Sequence, residues 1–380
     1  MNALRQEKIG WIDLLRVLAC FLVVFSHSCD AFVAQFDANR ASFLTGVFCG
    51  SFVRACVPLF VMMTGVLLLP VAPTYNLVSF YRKRVGRVLP PLVFWSLVLP
   101  VLMYLYFNFV NPATHNPQIA VDSYNGTTLV QRLYTFVFNF NFDTTPLWYL
   151  YMLIGLYLLM PILNCWLVQA SRHELKVVLG VWGVSLVLPY MKMLAPVLGY
   201  QGNFGNMELL GMCDWNIYGT FYYFSGFIGY LILAYYLKTY PLQWSWNKTL
   251  AIMVPMFLVG YAITTGGYIL TQEHFPGNYA YLEIVWYFTG INVFMMTLPV
   301  FVIVQKIGLR PRRWLSQLAS LTFGIYLCHF AFIFASYDLY DIAVLPYWLR
   351  IICIAVTTFA ISTAVTWLMS RSRLAARLVK

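Results

Sequence analysis

Ionisable residues interrupt or closely follow an apolar segment near the N-terminus, Ile9 to Ser28. Arg16 and His27 are eleven residues apart, so on an α-helix they share one face and are separated by about 16 Å along the axis. Asp13 precedes Arg16 by three residues and Asp30 follows His27 by three, which is within side-chain reach on a helix. We therefore predict one stripe with a carboxylate–guanidinium pair at one end and a carboxylate–histidine pair at the other.

The pairing of His27 with Asp30 suits general base catalysis. Imidazole takes a proton from a hydroxyl group efficiently because it titrates close to neutral pH. A neighbouring carboxylate orients the ring, as it does in catalytic triads. The alternative is that His27 only forms a hydrogen bond with a backbone carbonyl, and the residues by themselves leave both interpretations open.

A second group of cations occupies the segment RKRVGRVLPP, Arg82 to Pro91, which is predicted to precede the third membrane span. Arg84 and Arg87 lie one helical turn apart, and guanidinium groups bind phosphate through paired hydrogen bonds. The segment is therefore a candidate site for the phosphates of a nucleotide-containing donor. The alternative is an ordinary cationic anchor at the cytoplasmic face, which the residues alone favour.

Two further residues, His329 and Arg54, are candidates for a second site. His329, in SLTFGIYLCHF, lies far enough into its apolar run to approach the depth of His27. Arg54 is deeply placed and is predicted to face the interior, because ionisable groups inside membranes generally face a polar cavity. A hydrogen bond that only packs two helices explains His329 equally well.

The composition indicates which elements must position these side chains. Of 380 residues, 61% are hydrophobic and 10% are charged, and the mean hydropathy is +0.73. A soluble domain keeps about a quarter of its residues charged. Runs of about 20 apolar residues span a bilayer as helices, whereas barrel strands alternate in polarity. We therefore predict an all-α, polytopic bundle of about ten transmembrane helices that forms a single domain, residues 1–380.

Ten apolar runs are predicted to span the membrane. They are Ile9 to Ser28, Val47 to Leu69, Val88 to Asn108, Pro146 to Val168, Val177 to Leu198, Trp215 to Tyr236, Thr249 to Thr271, Tyr281 to Val304, Ser316 to Phe334 and Tyr347 to Leu368. The longest segment between them, Phe109 to Thr145, is too short for a catalytic domain of its own. The chemistry is therefore expected within the bundle.

Lysine and arginine are distributed unevenly between the connecting segments. With the N-terminus inside, 18 of the 24 lie on the cytoplasmic side, two outside and four within spans. Because cationic loops concentrate in the cytoplasm, both termini are predicted to be cytoplasmic. The net charge of +11 is explained by this asymmetry and by anionic lipid headgroups, so no nucleic-acid partner is expected.

The cysteines show no metal-ligand spacing, so neither a metal site nor a permanently bound cofactor is expected. Three of them, Cys29, Cys49 and Cys213, lie near one membrane face, where a disulfide remains open. The other five fall in apolar runs and are predicted to be buried as small hydrophobic side chains. These five are Cys20, Cys56, Cys165, Cys328 and Cys353.

The order and spacing of these motifs resemble the acyltransferase-3 family of membrane-bound O-acyltransferases. WIDLLRVLACFLVVFSH is similar to the family's first helix, in which ten residues separate an arginine from a histidine, here Arg16 and His27. RKRVGRVLPP is similar to its Arg-x-x-Arg before a proline, here Arg84 and Arg87. The similarity continues in VPLFVMMTGVLLL, TPLWYLYMLIGLYLLMPIL, FYYFSGFIGYLI and LTFGIYLCHF. The chain resembles the stand-alone members, without a fused hydrolase-like domain outside the membrane.

The resemblance implies an O-acyltransferase that moves an acyl group, commonly acetyl, from cytoplasmic acyl-CoA to a hydroxyl of a cell-surface or lipid-linked glycan. His27, Arg16 and Asp30 are the implied catalytic residues, and His27 is either the base or a transient acyl carrier. The residues implied in donor binding are Arg84, Arg87, Arg82 and Asp13. The implied location is the cell inner membrane, where acyl-CoA, a carbohydrate acceptor and membrane lipids are the partners.

Two other classes of protein remain open from the residues. A secondary transporter or flippase for a lipid-linked sugar also uses buried arginine, histidine and aromatic side chains along its path. Such a transporter would not consume acyl-CoA. A non-catalytic membrane sensor, the third class, would tolerate replacement of His27 or Arg16 by alanine.

Overall fold

The chain is all-helical in a computed structural model that describes residues 9–71, 76–136, 141–195, 197–199, 209–212, 218–277, 279–341 and 344–379. No residue in these ranges lies in a β-strand. The α-helices are α1 (Gly10–Val33), α2 (Arg40–Phe52), α3 (Cys56–Leu68), α4 (Leu77–Leu105), α5 (Gly126–Tyr134), α6 (Trp148–Leu167), α7 (Arg172–Ser185), α8 (Leu188–Leu194), α9 (Ile228–Thr239), α10 (Trp246–His274), α11 (Tyr279–Trp286), α12 (Ile291–Ile307), α13 (Arg313–Asp341) and α14 (Tyr347–Met369).

Nine helical stretches in the described ranges are long and apolar enough to cross a membrane, and they correspond to nine of the ten predicted spans. The tenth, Trp215 to Tyr236, differs from the prediction: its described part holds a 3-10 turn, Gly219–Phe224, followed by the twelve-residue α9. Gly226 separates these two pieces and has a φ of +75°, which glycine adopts without steric cost. The predicted polytopic helical membrane bundle is confirmed.

The cationic segment RKRVGRVLPP lies inside α4 and not before the helix, so this boundary prediction was wrong. The side chain of Asn76 accepts a hydrogen bond from the backbone N–H of Ser79 at 3.0 Å, which is a typical N-cap. The cap starts α4 at Leu77, well before the predicted start at Val88. The arginines of the segment therefore project from consecutive turns of one helix, and helix geometry fixes their directions.

The chain forms two compact units. The first comprises Met1–Val53, Thr74–Leu158 and Ile307–Lys380, and the second comprises Arg54–Pro73 and Leu159–Lys306.

In the first unit, α1 packs against α2, α13 and α14. Two glycines permit close approach of the helices. A Cβ atom at Gly46 would lie 2.8 Å from the backbone nitrogen of Val33, and one at Gly324 would lie 2.4 Å from Cγ2 of Thr366. Small residues at such crossings are typical of membrane helix pairs. Because three helices enclose α1, the directions of its polar side chains are well determined.

The loop after α4 is fastened to the end of α13 through Asp338. This carboxylate accepts hydrogen bonds from the Tyr106 hydroxyl at 2.7 Å, from Nδ2 of Asn111 at 2.8 Å and from Oγ1 of Thr114 at 2.6 Å. Three donors satisfy most of the acceptor capacity of the carboxylate. Asp338 is thereby a structural anchor.

A second carboxylate, Asp143, holds the end of the same loop. Asp143 is fully buried and accepts a hydrogen bond from the Tyr124 hydroxyl at 2.9 Å and from Nη1 of Arg132 at 2.5 Å. Burial raises the pKa of Tyr124, so its phenol stays protonated and serves as the donor. The paired charge makes the burial of Asp143 tolerable.

In the second unit, α3 packs against α9. Nζ of Lys238 donates to the backbone carbonyls of Val66 and Leu69, both at 2.8 Å. These carbonyls end α3 and have no partner within the helix, so the lysine caps it.

The prediction for the cysteines is partly correct. Cys20, Cys56 and Cys328 are buried, but Cys165 is exposed and Cys353 is half-buried. An apolar side chain on a membrane helix faces either protein or lipid, and hydropathy does not distinguish the two. Cys29 donates a hydrogen bond from its Sγ to the Phe25 carbonyl at 3.3 Å, Cys49 is a free thiol, and Cys213 lies outside the described residues.

Candidate active site

His27 and Asp30 form the predicted pair near the C-terminal end of α1. Nδ1 of His27 lies 2.8 Å from Oδ2 of Asp30, and the two side chains are 20% and 26% exposed. A carboxylate only accepts, so Nδ1 carries the proton of this hydrogen bond. In a neutral ring, Nε2 then holds a lone pair. The pair therefore presents an oriented base on a partly open surface.

His329 on α13 lies directly beside His27. The ring centroids are 5.4 Å apart with the planes tilted by 37°. His329 is fully buried, and its Nδ1 lies 2.7 Å from the backbone carbonyl of Tyr326. The carbonyl can only accept, so Nδ1 is the donor. Nε2 of His329 is buried and has no hydrogen-bond partner among the described residues.

Aromatic rings surround the two histidines. Phe330 packs edge-on against His27 with a centroid distance of 5.5 Å, and Phe142 packs against Phe330 at 5.7 Å. The Tyr326 hydroxyl donates to the Pro146 carbonyl. These apolar faces keep the local dielectric low and strengthen the electrostatic interactions of the imidazoles.

Arg16 lies on the same helix as His27, near its other end. It is half-buried and lies within electrostatic range of Asp13 and of Arg87 and Tyr157 on neighbouring helices. Asp13 also accepts a hydrogen bond of 2.5 Å from the hydroxyl of Ser316 on α13. The carboxylate is thus fixed by α13 and interacts electrostatically with Arg16.

Arg84 and Arg87 form a cationic cluster with Arg16, and Tyr157 of α6 lies within electrostatic range of all three. Arg84 is half-buried, and its Nε is shielded from solvent without a hydrogen-bond partner in the described part of the chain. A buried guanidinium N–H that lacks an acceptor is costly, and an anionic ligand would satisfy it.

The other predicted donor-binding residue, Arg82, is exposed on α4. Arg54 belongs to the second unit, where its guanidinium carbon lies 3.6 Å from the ring centroid of Trp286. Such stacking is a stabilising cation–π contact. The role of Arg54 in a second site therefore stays a prediction.

Sequence reasoning missed Tyr157 and Ser316. Tyr157 lies at the middle of α6, and nothing in TPLWYLYMLIGLYLLMPIL distinguishes it from the other aromatic residues of the segment. Ser316 is one of several hydroxyl residues near the start of α13, and only the packing of α1 on α13 selects it.

The site has two parts on one helix: a cationic cluster at Arg16, and about 16 Å further along the axis a histidine oriented by a carboxylate. A multi-pass membrane bundle with a cationic cluster for an anionic donor and an oriented base for a hydroxyl acceptor can catalyse group transfer between them. The acyltransferase domain model of the acyltransferase-3 family matches residues 9–367, and the chain belongs to that family. It is a multi-pass membrane acyltransferase, as the sequence predicted.

No curated protein and no solved structure matches the chain.

Proposed function

We propose that this acyltransferase moves an acyl group, acetyl in the first instance, from acyl-CoA at the cytoplasmic face of the cell inner membrane to a hydroxyl of a cell-surface or lipid-linked glycan. The observation that carries the proposal is the arrangement of α1, which holds Arg16 and the His27–Asp30 pair on one continuous helix. Family membership supports it, because acetylation of glycans is the general activity of the family.

The cationic cluster suits the phosphates of CoA. Arg16, Arg84 and Arg87 lie within electrostatic range of Tyr157, and among the described residues Asp13 is the carboxylate that offsets the charge of Arg16. Guanidinium groups bind phosphate bidentately, and the shielded Nε of Arg84 gains an acceptor when phosphate binds. Arg82, exposed two residues before Arg84 on α4, adds attraction at longer range.

The separation of cluster and base suits the shape of CoA. In acyl-CoA a long pantetheine arm separates the phosphates from the thioester. A donor with that shape reaches from Arg16 to His27, about 16 Å along the helix, whereas a compact acyl phosphate would not. Arg16 itself positions the donor.

The His27–Asp30 pair supplies the chemistry. As a base, Nε2 of His27 takes the proton of the acceptor hydroxyl while the oxygen bonds to the thioester carbonyl carbon. The carbon–sulfur bond then breaks, and the leaving thiolate takes the proton from His27 to give free CoA. As an acyl carrier, Nε2 would instead attack the carbonyl first and later pass the acyl group to the hydroxyl. Asp30 orients the ring in both schemes.

The test is release of free CoA from acetyl-CoA by the purified protein in lipid nanodiscs, with and without an extract of lipid-linked glycans. We expect acceptor-stimulated release by the wild type and a loss of about 100- to 10,000-fold in His27→Ala, the usual contribution of a general base. The matched control is His173→Ala, which removes an exposed histidine on α7 and should leave turnover unchanged. Wild-type turnover in His27→Ala would remove His27 from the chemistry.

The same experiment separates the enzyme from a transporter. A wild type that releases no CoA from acetyl-CoA or from a longer acyl-CoA would contradict the proposed donor. Exchange of labelled CoA into acetyl-CoA in the absence of acceptor would identify the acyl-carrier scheme, because acyl transfer to His27 releases CoA before the acceptor reacts. No exchange, with steady turnover once acceptor is added, would favour the base.

A further inference from the structure

One ring nitrogen of His329 has a hydrogen-bond partner among the described residues and the other has none. Its Nδ1 is committed to the Tyr326 carbonyl, so its Nε2 is an acceptor in the neutral ring. That atom is buried and has no donor among the described residues. A buried acceptor without a donor destabilises the resting state.

Nε2 of His329 is not placed to meet a substrate. The whole side chain is fully buried, whereas the adjacent His27 is 20% exposed. His27 therefore faces the open side of the site and His329 lies behind it. Any effect of His329 on the reaction must pass through His27.

The distance between the rings fits a hydrogen bond between their edges. With centroids 5.4 Å apart, two imidazoles can form an N–H···N hydrogen bond of about 3 Å. In the resting state both Nε2 atoms are acceptors, because each Nδ1 proton is already donated, one to Asp30 and one to Tyr326. Neither ring then has a proton to offer the other. A donor arises only when Nε2 of His27 gains a proton.

The geometry points to His329 as a positioning residue that accepts a hydrogen bond from Nε2–H of His27 after His27 has taken the proton of the acceptor hydroxyl. This inference rests on the proposed function, in its base scheme. The proton remains on His27: once the hydroxyl oxygen has bonded to the thioester carbonyl, Nε2–H donates to Nε2 of His329 while Nδ1 stays on Asp30, and the proton is later given to the leaving thiolate. His329 gains its missing donor only in that state, so it stabilises the state that follows proton transfer more than the resting one.

Two substitutions of His329 separate this role from a structural one. In His329→Asn the amide nitrogen replaces Nδ1 and retains the bond to Tyr326, but the acceptor facing His27 is lost. In His329→Gln the longer side chain places an amide oxygen near the former Nε2. We expect kcat to fall about 10- to 100-fold in His329→Asn, the usual effect of losing a hydrogen bond to a charged group. His329→Gln should recover most of that loss, and the KM for acetyl-CoA should stay within twofold in both.

The result that would overturn the inference is wild-type kcat in His329→Asn, or equal loss in the two variants. If the wild type itself releases no CoA, the proposed function fails, and that outcome is distinct from either of these.

A second measurement does not depend on turnover or on the folding of His329→Asn. Nitrogen-15 NMR of histidine-labelled wild type in nanodiscs reports the protonated nitrogen of each of the five histidines. The His329 signal is assigned by its absence in His329→Gln. We expect protonated Nδ1 and unprotonated Nε2. A proton on Nε2 in the resting protein would contradict the inference.

Discussion

At the scale of the residue, the two histidines have the same hydrogen-bonding pattern but different exposure. In both, Nδ1 donates to an oxygen, which is a carboxylate for His27 and a backbone carbonyl for His329. His27 is partly open and His329 is buried. The side chain that can reach an acceptor hydroxyl is therefore His27, which is also the one oriented by a charge.

Replacement of Asp30 should lower the rate without weakening donor binding. In Asp30→Asn the ring of His27 loses a charged partner, and an amide can hydrogen-bond either tautomer, so part of the protein holds the wrong one. We expect kcat for CoA release to fall about 10- to 100-fold. The control is Asp37→Asn, an exposed carboxylate in the turn after α1, which should behave as the wild type. A large rise in the KM for acetyl-CoA with kcat unchanged would contradict this role.

Replacement of Arg84 should instead weaken the binding of the donor. Arg84→Gln removes the shielded guanidinium and its share of the cationic cluster. We expect the dissociation constant for acetyl-CoA, measured by calorimetry in nanodiscs, to rise about tenfold or more. Lys83→Gln, an exposed neighbour on α4, changes the net charge by the same amount and should have little effect. Equal weakening in the two variants would indicate general attraction and not a site.

The sequence predicts some site residues because helix periodicity alone brings them together. Asp13, Arg16, His27 and Asp30 are three or eleven residues apart, so one helix suffices to place them. The role of Tyr157 requires α6 to lie beside α1 and α4. That packing is long-range, and apolar patterning does not encode it.

At the scale of the element, α1 depends on close crossings with its neighbours. A Cβ at Gly46 of α2 would lie 2.8 Å from the backbone of Val33, just beyond the helical turn that carries Asp30. Backbone atoms cannot move aside to make room for a new methyl group as the end of a flexible side chain can. The position of His27 and Asp30 is therefore coupled to a small residue on another helix.

Gly46→Ala should lower both stability and turnover. The new methyl group overpacks the crossing, which typically costs about 1–3 kcal/mol. Thermal unfolding in detergent should occur at lower temperature, and kcat for CoA release should fall. Gly155→Ala on α6 is the matched control, because nothing lies within 4 Å of the added Cβ and alanine favours helix. Equal melting temperatures for Gly46→Ala and wild type would contradict the crossing.

Helix boundaries were the least predictable feature of the elements. The charges and prolines of RKRVGRVLPP predicted that the helix starts near Val88. The Asn76 cap instead starts α4 at Leu77, and the helix continues through Pro90 and Pro91. Neighbouring helices in a membrane bundle tolerate such prolines. The apolar composition of Trp215 to Tyr236 predicted one continuous helix, but the positive φ of Gly226 interrupts it before α9.

At the scale of the whole molecule, composition alone predicted the fold class. With only 10% of its residues charged, the chain lacks a surface suited to water. In lipid a helix satisfies its backbone hydrogen bonds within itself, so a helical bundle follows. Which apolar side chains face protein was not predictable, as Cys165 shows. Orientation in the membrane stays a prediction from the distribution of lysine and arginine.

The orientation has a direct test in whole cells. Asp122→Cys lies in the segment predicted to be outside, and Arg82→Cys in the segment predicted to be inside; both native side chains are exposed. We expect a membrane-impermeant maleimide to label Asp122→Cys in intact cells, and Arg82→Cys only after permeabilisation, each relative to wild type. The reverse pattern would place the cationic cluster on the wrong side for cytoplasmic acyl-CoA.

The central claim is that the His27 site transfers an acyl group from CoA to a glycan. The most direct measurement uses acetyl-CoA labelled in the acetyl group, the protein in nanodiscs and a lipid-linked glycan extract. The account predicts that label enters the glycan fraction as CoA is released, and that His27→Ala abolishes both while acetyl-CoA still binds. Transfer of label by His27→Ala at the wild-type rate would contradict the account.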